Sequence, residues 1–310
     1  MSTPTSSASN ELWTTRRLLA WMQETFARKQ LDAPRKQAEM LLEHVLGCKQ
    51  LDLYTNPDRP ASPLERDTLR NLVTRALKQE PIQYLVGKER FFGIEFHVDK
   101  RVLIPRPETQ TIVEEVLQNL RARHGQAATK GEGVLIADVC AGSGCIGIAL
   151  LKNLPGARVV ATELSADAVE VAHGNAVRVG VSDRLDLLTG DLLQPLLEHP
   201  ATRGTGALDY LVSNPPYIPD DEWAAVEPNV KDYEPHLALR GGVDGLDYVR
   251  RLLADGPRLV KAGGLMLVEI AESRAGEALA LFRGHAELSD ARLLKDFLGK
   301  PRVVVGIKRG

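Results

Sequence analysis

Four consecutive residues, Asn214 to Tyr217, have the chemistry needed to bind a planar NH2 group. The Asn214 side chain offers a hydrogen-bond acceptor, while Pro215 and Pro216 fix the backbone and remove two amide donors. We therefore expect the Pro215 carbonyl to point into the same crevice as the Asn214 oxygen. Tyr217 offers a ring face for a planar group or a cation. The alternative is a Pro-Pro turn with a capping asparagine.

A pair of fixed acceptors suits chemistry at an amide or aryl-amine nitrogen. The lone pair of such a nitrogen is delocalised, which makes it a poor nucleophile. Holding both hydrogens out of the conjugated geometry makes the lone pair more available. The sequence therefore predicts that Asn214 and Pro215 are catalytic, and that the substrate is bound by Asn214, Pro215, Pro216 and Tyr217.

A turn that contains two glycines follows an apolar run of strand length. Gly142 and Gly144 permit backbone conformations and a close approach that a side chain would block, so main-chain groups can line a ligand. A tight turn of purely structural purpose would contain the same glycines. The candidate ligand-binding residues in this turn are Asp138, Cys140, Ala141, Gly142, Ser143 and Gly144.

Two further acidic residues follow the next two apolar runs. Glu163 lies 25 residues after Asp138, where a carboxylate can accept hydrogen bonds from both hydroxyls of a ribose. Its alternative role is to favour the start of the helix at Ser165. Asp191 can accept from an adenine amino group, or it can be an ordinary turn residue. Acidic residues at three successive strand ends favour an adenosine-containing ligand.

These residues need a scaffold in which strand ends meet at one edge, and the sequence predicts one. Compact apolar runs alternate with helical patterns at Ser165–Val179 and Leu246–Val260, which indicates a mostly parallel sheet covered by helices. A short turn joins the last two predicted strands, Ala291–Leu294 and Arg302–Lys308, so we expect an antiparallel closing pair. The other predicted strands are Val134–Val139, Arg158–Thr162, Leu185–Thr189, Leu208–Ser213 and Leu265–Ile270.

The amino-terminal part of the chain is predicted to be helical. Ser62 as N-cap, Pro63 at the first helical position and Glu65 three residues after the cap form a start signal. From Tyr84 to Val98 the pattern changes to short β-type runs, which predicts a hairpin. The expected domains are a helical substrate-recognition domain over residues 1–82, a β-hairpin linker over 83–104 and a catalytic domain over 105–310.

Composition limits the classes of function. The chain has 310 residues, with 39 Lys plus Arg against 41 Asp plus Glu, so a general nucleic-acid binder is disfavoured. Its three cysteines lack zinc-site spacing, which predicts no metal site and a reducing, cytoplasmic location. No run reaches the about 18 apolar residues of a membrane helix. A transit peptide before Arg16 and Arg17 is the alternative to a first helix that begins the folded domain.

The glycine turn, Glu163 and the Asn-Pro-Pro-Tyr run resemble class I S-adenosylmethionine-dependent methyltransferases that act on planar NH2 groups. More narrowly, the chain is similar over almost its whole length to the HemK/PrmC family, the N5-glutamine methyltransferases of peptide-chain release factors. Pro107, Glu108 and Thr109 favour this branch over the related ribosomal-protein glutamine methyltransferases. The matching segments are Glu80 to Tyr84 with Gly87, Leu103 to Thr109, Asn214 to Ile218, Glu234 to His236 and Gly241 to Asp247.

The resemblance implies an α/β, Rossmann-like fold with a small N-terminal helical domain. It implies S-adenosyl-L-methionine as cofactor and release factors as protein substrates, with no stable nucleic-acid or membrane partner. The glutamine of the Gly-Gly-Gln motif would enter the crevice and receive the methyl group on its side-chain nitrogen. The residues expected to bind the cofactor are Asp138, Cys140, Ala141, Gly142, Ser143, Gly144, Glu163, Asp191, Leu192 and Asn214.

Three positions depart from the family pattern: Gln110, Leu192 and Ala271. Two other interpretations remain open at this stage. An adenine-N6 methyltransferase acting on DNA or RNA shares the acceptor motif, because adenine also presents a planar NH2 group. A non-enzymatic adenosine-binding or scaffold protein would keep the glycine turn and would not need the Asn-Pro-Pro-Tyr run.

Overall fold

The computed structural model describes residues 12–124 and 130–310. The chain divides into two compact units, Met1–Gly87 and Lys88–Gly310. The first unit is helical, and Leu18, Met22 and Phe26 from the predicted first helix lie in its core. Its helices are α1 (Thr15–Arg28), α2 (Pro34–Leu46), α3 (Asp52–Thr55), α4 (Pro63–Ala76) and α5 (Ile82–Val86).

The start of α4 matches the sequence prediction. The Ser62 hydroxyl accepts from the Glu65 backbone N–H at 3.2 Å, and the Glu65 carboxylate accepts from the Ser62 N–H at 2.7 Å. Two of the backbone donors that a helix leaves unpaired at its start are thereby satisfied. The predicted capping box is confirmed.

The predicted strand character from Tyr84 onward is wrong at its beginning. Residues 82–86 form helix α5, which ends at Gly87 with φ of +73°. Ile82, Leu85 and Val86 are buried in the core of the first unit, and their i, i+3, i+4 spacing places them on one helical face. Burial on that face outweighs the β propensity of the aliphatic and aromatic side chains.

A two-stranded antiparallel hairpin opens the second unit, with β1 at Lys88–Phe91 and β2 at Ile94–His97. The Asn175 side chain accepts from the His97 N–H at 2.8 Å and donates to the His97 carbonyl at 3.1 Å. It also donates to the Ser143 carbonyl at 3.0 Å. One buried amide therefore ties the hairpin to the glycine-containing turn.

The second unit is built on a seven-stranded sheet in the order β5-β4-β3-β6-β7-β9-β8. Neighbouring strands from β5 to β7 pair in parallel, and β9 pairs antiparallel with both β7 and β8. The predicted mostly parallel sheet with an antiparallel closing pair is confirmed. The strands are β3 (Leu135–Val139), β4 (Arg158–Glu163), β5 (Leu185–Thr189), β6 (Leu208–Ser213), β7 (Val260–Glu269), β8 (Leu288–Lys295) and β9 (Pro301–Lys308).

Strand β7 begins five residues before the predicted start, at Val260 instead of Leu265. Leu208 pairs with Val260, whereas Tyr210 pairs with Leu265, so the register shifts between them. The inserted residues include Gly263 with φ of +76°, and they give no apolar signal. A bulge of this kind cannot be read from hydrophobic runs.

Helices cover both faces of the sheet, and each face has its own apolar core. Residues of α6 and α7 pack on one face, and residues of α11 and α12 pack on the other. Within the described residues no helix is both long and apolar enough to cross a membrane. The helices of this unit are α6 (Gln110–His124), α7 (Cys145–Asn153), α8 (Ala166–Val179), α9 (Gln194–Glu198), α10 (Pro228–Lys231), α11 (Asp247–Leu259) and α12 (Ala275–Gly284).

The strand order reverses direction at β3, because β4 lies on one side of β3 and β6 on the other. Open α/β sheets bind ligands outside the carboxyl ends of strands at such a point. Asp138, Glu163 and Asn214 lie at or just after the carboxyl ends of β3, β4 and β6. The fold therefore brings together the candidate residues from three separate segments.

Candidate active site

A cavity opens at the carboxyl ends of β3, β4, β5 and β6. It encloses about 970 Å³ outside the protein atoms, counting its open mouth, which is the size of a small-molecule site. Nine of the candidate residues line it: Cys140, Ala141, Gly142, Ser143, Glu163, Asp191, Leu192, Asn214 and Pro216. The other four candidates, Asp138, Gly144, Pro215 and Tyr217, are not among the described residues that form its wall.

The glycine-containing turn adopts backbone conformations that explain its composition. Cys140, Gly142 and Gly144 have φ values of +63°, +55° and +78°. A Cβ atom at Gly144 would lie 2.9 Å from the Ile148 side chain and 3.2 Å from that of Ala172. Glycine at this position lets the turn pack directly on α7 and α8.

Asp138 supports the turn from below. It is fully buried, and its Oδ2 atom accepts from the Gly147 N–H at 2.8 Å. Burial raises the pKa of Asp138 to about 7, although the Gly147 hydrogen bond opposes this shift. The structure places Asp138 behind the cavity wall, where it holds the start of α7.

Glu163 is half-buried at the end of β4 and lines the cavity. Its Oε2 atom accepts from the Gly142 N–H at 2.9 Å, and its Oε1 atom accepts from the Ser165 N–H at 3.0 Å. Each carboxylate oxygen can accept more than one hydrogen bond. Glu163 therefore fixes the turn and the start of α8 and still has acceptor capacity for a ligand.

The residues after β5 form the opposite wall. Asp191 is exposed and accepts from Arg251 Nη2 at 2.5 Å. Leu192 is buried with φ of +48°, and its carbonyl accepts from the Thr162 hydroxyl at 2.8 Å. Leu192 gives this wall an apolar surface, and Asp191 gives it a charged rim.

Asn214 is oriented by a residue far away in sequence. Its Nδ2 atom donates to the Thr109 hydroxyl at 3.2 Å. Its Oδ1 atom is buried and has no hydrogen-bond partner among the described residues. A buried acceptor left unpaired costs free energy, so this oxygen is suited to a hydrogen that a ligand brings.

The segment that follows Asn214 packs against a glycine-rich loop. A Cβ atom at Gly241 would lie 2.7 Å from Tyr217 Cα, and one at Gly245 would lie 2.5 Å from the Tyr217 carbonyl oxygen. The Ile218 N–H donates to the Leu239 carbonyl at 2.9 Å. Pro215 is buried, and burial raises the pKa of the Tyr217 hydroxyl. These contacts hold the Asn-Pro-Pro-Tyr run in place.

The similarity to known proteins is extensive. The model of the PrmC N-terminal domain matches residues 17–87, and the model of the methyltransferase small domain matches residues 116–243. The release factor glutamine methyltransferase of Geobacter sulfurreducens is 40% identical over 296 residues, which are 96% of this chain and 97% of that protein. The chain belongs to the release factor glutamine methyltransferase family.

A second relative gives the same result. The release factor glutamine methyltransferase of Chlorobaculum tepidum is 39% identical over 287 residues, 93% of this chain and 95% of that protein. The hMettl16 catalytic domain, solved with MAT2A 3′UTR hairpin 6, has a TM-score of 0.51 at 14% identity. The match covers 82% of this chain and 85% of that domain, and it shows that the two folds are similar. The predicted family, fold class, S-adenosylmethionine dependence and methyltransferase activity are confirmed.

The sequence interpretation missed four residues that shape this methyltransferase site. Arg106 lines the cavity and donates to Glu234 Oε1 at 2.5 Å. Glu234 is 4% exposed, and its Oε2 atom accepts from the Ile104 N–H at 3.1 Å. The signal for this pair was present, since both residues lie in segments that match the family. Their pairing depends on contacts between distant segments.

Thr109 and Glu269 are the other two missed residues, and both are almost completely buried. Thr109 precedes α6 and lines the cavity beside Asn214. Glu269 ends β7, so it follows the same rule that selected Asp138 and Glu163, an acidic residue at a strand end. Within the described residues no group of three His, Cys, Asp or Glu side chains could hold a metal ion.

Proposed function

We propose that this methyltransferase transfers a methyl group from S-adenosyl-L-methionine to a release factor. The acceptor is the side-chain amide nitrogen of the glutamine in the Gly-Gly-Gln motif, and the modification supports translation termination. The observation that carries this proposal is the buried Asn214 Oδ1 atom, which faces no donor among the described residues. A glutamine NH2 group supplies the donor that this acceptor lacks.

The cavity residues fit the cofactor. Glu163 keeps acceptor capacity for ribose hydroxyls while its two backbone hydrogen bonds hold it in place. Leu192 and Tyr248 give apolar walls for a planar base, and Asp191 lies at the rim where an adenine amino group would donate. Asp138 and Gly144 keep the turn in shape from behind the wall. When bound, S-adenosylmethionine supplies an electrophilic methyl group on a positively charged sulfur.

The chain supplies positioning and charge stabilisation at the substrate nitrogen. In this proposal Asn214 Oδ1, at the cavity wall, accepts one amide hydrogen. The carbonyl of Pro215, which is not itself among the wall residues, accepts the other from the adjoining backbone, and together they orient the nitrogen lone pair for in-line attack. The same acceptors stabilise the positive charge that develops on nitrogen. Thr109 holds the Asn214 amide in the orientation that this requires. Pro216 and Tyr217 keep the acceptor segment rigid. No general base is needed before transfer, because the nitrogen becomes acidic and loses one proton only after it has been methylated.

The two units divide the work in this proposal. We assign recognition of the release factor to the helical unit, with its expected end at residue 82 moved to Gly87, together with the hairpin of β1 and β2. Residues 105–310 carry out the transfer. The support for this division is the match of residues 17–87 to the PrmC N-terminal domain.

We also propose that the reaction takes place in the cytoplasm, without a stable nucleic-acid or membrane partner. All three cysteines are free thiols, and the net charge of −2 gives no general attraction to a polyanion.

The direct test is transfer of labelled methyl groups from S-adenosylmethionine to purified release factors and, in parallel, to unmethylated DNA. We expect label in the release factor alone, and peptide mapping should place it on the Gly-Gly-Gln glutamine. Equal or greater incorporation into DNA would favour an adenine-N6 methyltransferase. Cofactor binding without incorporation into either substrate would favour a non-enzymatic adenosine-binding protein.

A further inference from the structure

Glu269 is a buried acid without an obvious structural purpose. It ends β7, its relative exposure is 0%, and neither carboxyl oxygen has a hydrogen bond of ordinary geometry within the described chain. Buried polar groups are normally paired, and those that are not require an explanation. A contribution to stability does not explain why Glu269 is buried, so its burial points to a functional role.

The sheet places Glu269 beside the acceptor segment. Val268 pairs with Ser213 in the parallel register of β7 and β6, so the next residues, Glu269 and Asn214, leave the sheet at the same level. The Thr109 and Tyr217 hydroxyls act to lower the pKa of Glu269, so both are near its carboxyl group, although neither makes a hydrogen bond of ordinary geometry with it. Glu269 thus lies next to Thr109, the residue whose hydroxyl accepts from Asn214 Nδ2.

The other charged and titratable groups around Glu269 come from three elements. Arg302 on β9 lowers its pKa, and Glu108, which precedes α6, raises it. Cys145 on α7 is buried nearby, and its own pKa is raised to about 12 by burial first and then by Asp138 and Glu269. Desolvation is the largest influence on Glu269 and raises its pKa to about 7.

The hydrogen-bond directions follow from the number of hydrogens available. Asn214 Nδ2 donates to Thr109 Oγ1 at 3.2 Å, and the Thr109 hydroxyl has a single hydrogen of its own. If an ionised carboxylate takes that hydrogen, Thr109 can only accept from Asn214. The Asn214 nitrogen must then face Thr109, and its oxygen must face away. A neutral Glu269 removes this constraint, since Thr109 can then donate to an amide oxygen.

We propose that Glu269 is a positioning residue whose carboxylate fixes the Thr109 hydroxyl and thereby turns Asn214 Oδ1 toward the substrate NH2 group. This inference rests on the proposed function, because it gives the orientation of the acceptor that function uses. Glu269 acts through Thr109 and does not touch the substrate. Turnover therefore requires ionised Glu269, and it falls as the pH drops through about 7.

The test compares the pH dependence of kcat in Glu269→Gln and in the unaltered protein. At saturating S-adenosylmethionine and release factor, kcat of the unaltered protein should fall about tenfold per pH unit on the acid side. The Glu269→Gln variant should have a kcat about tenfold lower at pH 8 and no acid limb, because glutamine neither titrates nor selects one hydrogen-bond direction. Its KM for the release factor and its cofactor Kd should stay within about twofold.

Thr109 provides a second pair of variants in a protein that keeps Glu269. Thr109→Val removes the hydroxyl and should reproduce the lower kcat and the loss of the acid limb, whereas Thr109→Ser should restore both. The double variant Glu269→Gln/Thr109→Val should be no slower than the slower single variant, because both substitutions break the same connection.

The matched control is Thr202→Val, which removes a buried hydroxyl that donates to the Leu196 carbonyl at 2.6 Å. It should keep the full pH profile.

Saturating cofactor is needed because the buried Asp138 also has a pKa raised to about 7, and its titration should appear in cofactor affinity. An acid limb that persists in Glu269→Gln, or additive losses in the double variant, would overturn the inference while leaving the proposed function intact. If Glu269→Gln does not fold, the Thr109 variants decide in the same way. Failure of the unaltered protein to methylate any release factor would overturn the proposed function and this inference with it.

Discussion

The two sides of the cavity differ in how completely their polar groups are hydrogen-bonded. On the glycine-turn side, both oxygens of Glu163 accept backbone N–H groups, from Gly142 and from Ser165. The other side, which contains Asn214 and Glu269, is called the acceptor side. There, Asn214 Oδ1 and both Glu269 oxygens are buried without a hydrogen bond of ordinary geometry within the described residues. The glycine-turn side leaves one buried oxygen unpaired, Asp138 Oδ1 behind the cavity wall, whereas the acceptor side leaves three.

We infer from this difference that one side of the cavity serves mainly cofactor binding and the other mainly methyl transfer. A side that is already hydrogen-bonded needs little reorganisation, which favours affinity. An unpaired buried acceptor costs stability in the free protein, and that cost is recovered when charge develops on a bound nitrogen. We therefore expect changes on the glycine-turn side to weaken cofactor binding and changes on the acceptor side to slow methyl transfer.

The largest effect should come from Asn214→Ala. Removal of one of two fixed acceptors should slow methyl transfer about 100-fold or more, on the order of 3 kcal/mol. Cofactor affinity should change little, because the glycine-turn side is untouched. Asn214→Asp should be milder, since it keeps an acceptor. Single-turnover rates and calorimetry measure the two quantities separately.

A suitable control is Asn153→Ala at the end of α7, where the side chain donates to the Ala149 carbonyl at 2.8 Å. Its transfer rate should match that of the unaltered protein. Near-normal turnover in Asn214→Ala would show that the acceptor pair does not carry the chemistry.

The next effect should come from Glu163→Ala, on the other side of the cavity. It removes the carboxylate expected to bind the ribose and releases the Gly142 and Ser165 N–H groups, so cofactor affinity should fall at least about tenfold. The rate at saturating cofactor should fall much less. Calorimetric titration is the measurement, with Glu114→Ala on the exposed face of α6 as control. An unchanged affinity would remove Glu163 from the cofactor site.

The smallest effect concerns stability. Both Asp138 and Glu269 have pKa values raised to about 7 by burial, above their ordinary values, so each favours folding most at low pH. This contribution is lost as the pH rises through about 7. Between pH 6 and pH 8 the free energy of unfolding should fall by about 1 kcal/mol for each group.

Asp138→Asn and Glu269→Gln should each reduce that decrease, as measured by urea unfolding at the two pH values. The two sides of the cavity should also differ in function, because Asp138→Asn should weaken cofactor binding while Glu269→Gln should slow turnover. A pH dependence that neither variant changes would assign the titration to other groups.

Much of the site could be predicted from where acidic and amide residues follow apolar runs. Glu163, Asp191 and Asn214 line the cavity because the carboxyl ends of parallel strands meet at one edge. The same rule brought Asp138 into the expected cofactor set, although its carboxylate is turned inward to Gly147. A strand-end position predicts the edge of the sheet, and it does not predict which way a side chain points.

The connections across the site could not be predicted in this way. Thr109 is 105 residues from Asn214 in sequence, and Arg106 is 128 residues from Glu234. No local pattern relates such pairs, because they meet only after the sheet and its loops have formed. Helix α5 was missed for a similar reason, since burial in the first unit decided its conformation.

In the proposed mechanism two acceptors face one NH2 group, and a change in the substrate can test this arrangement. A release factor whose Gly-Gly-Gln glutamine is changed to glutamate presents oxygens to Asn214 Oδ1 and the Pro215 carbonyl, with no hydrogen between them. Mass mapping after incubation with S-adenosylmethionine should find one added methyl group on the glutamine of the unaltered factor and none on the glutamate. Methylation of the glutamate variant, or of another residue in the unaltered factor, would contradict the proposed mechanism.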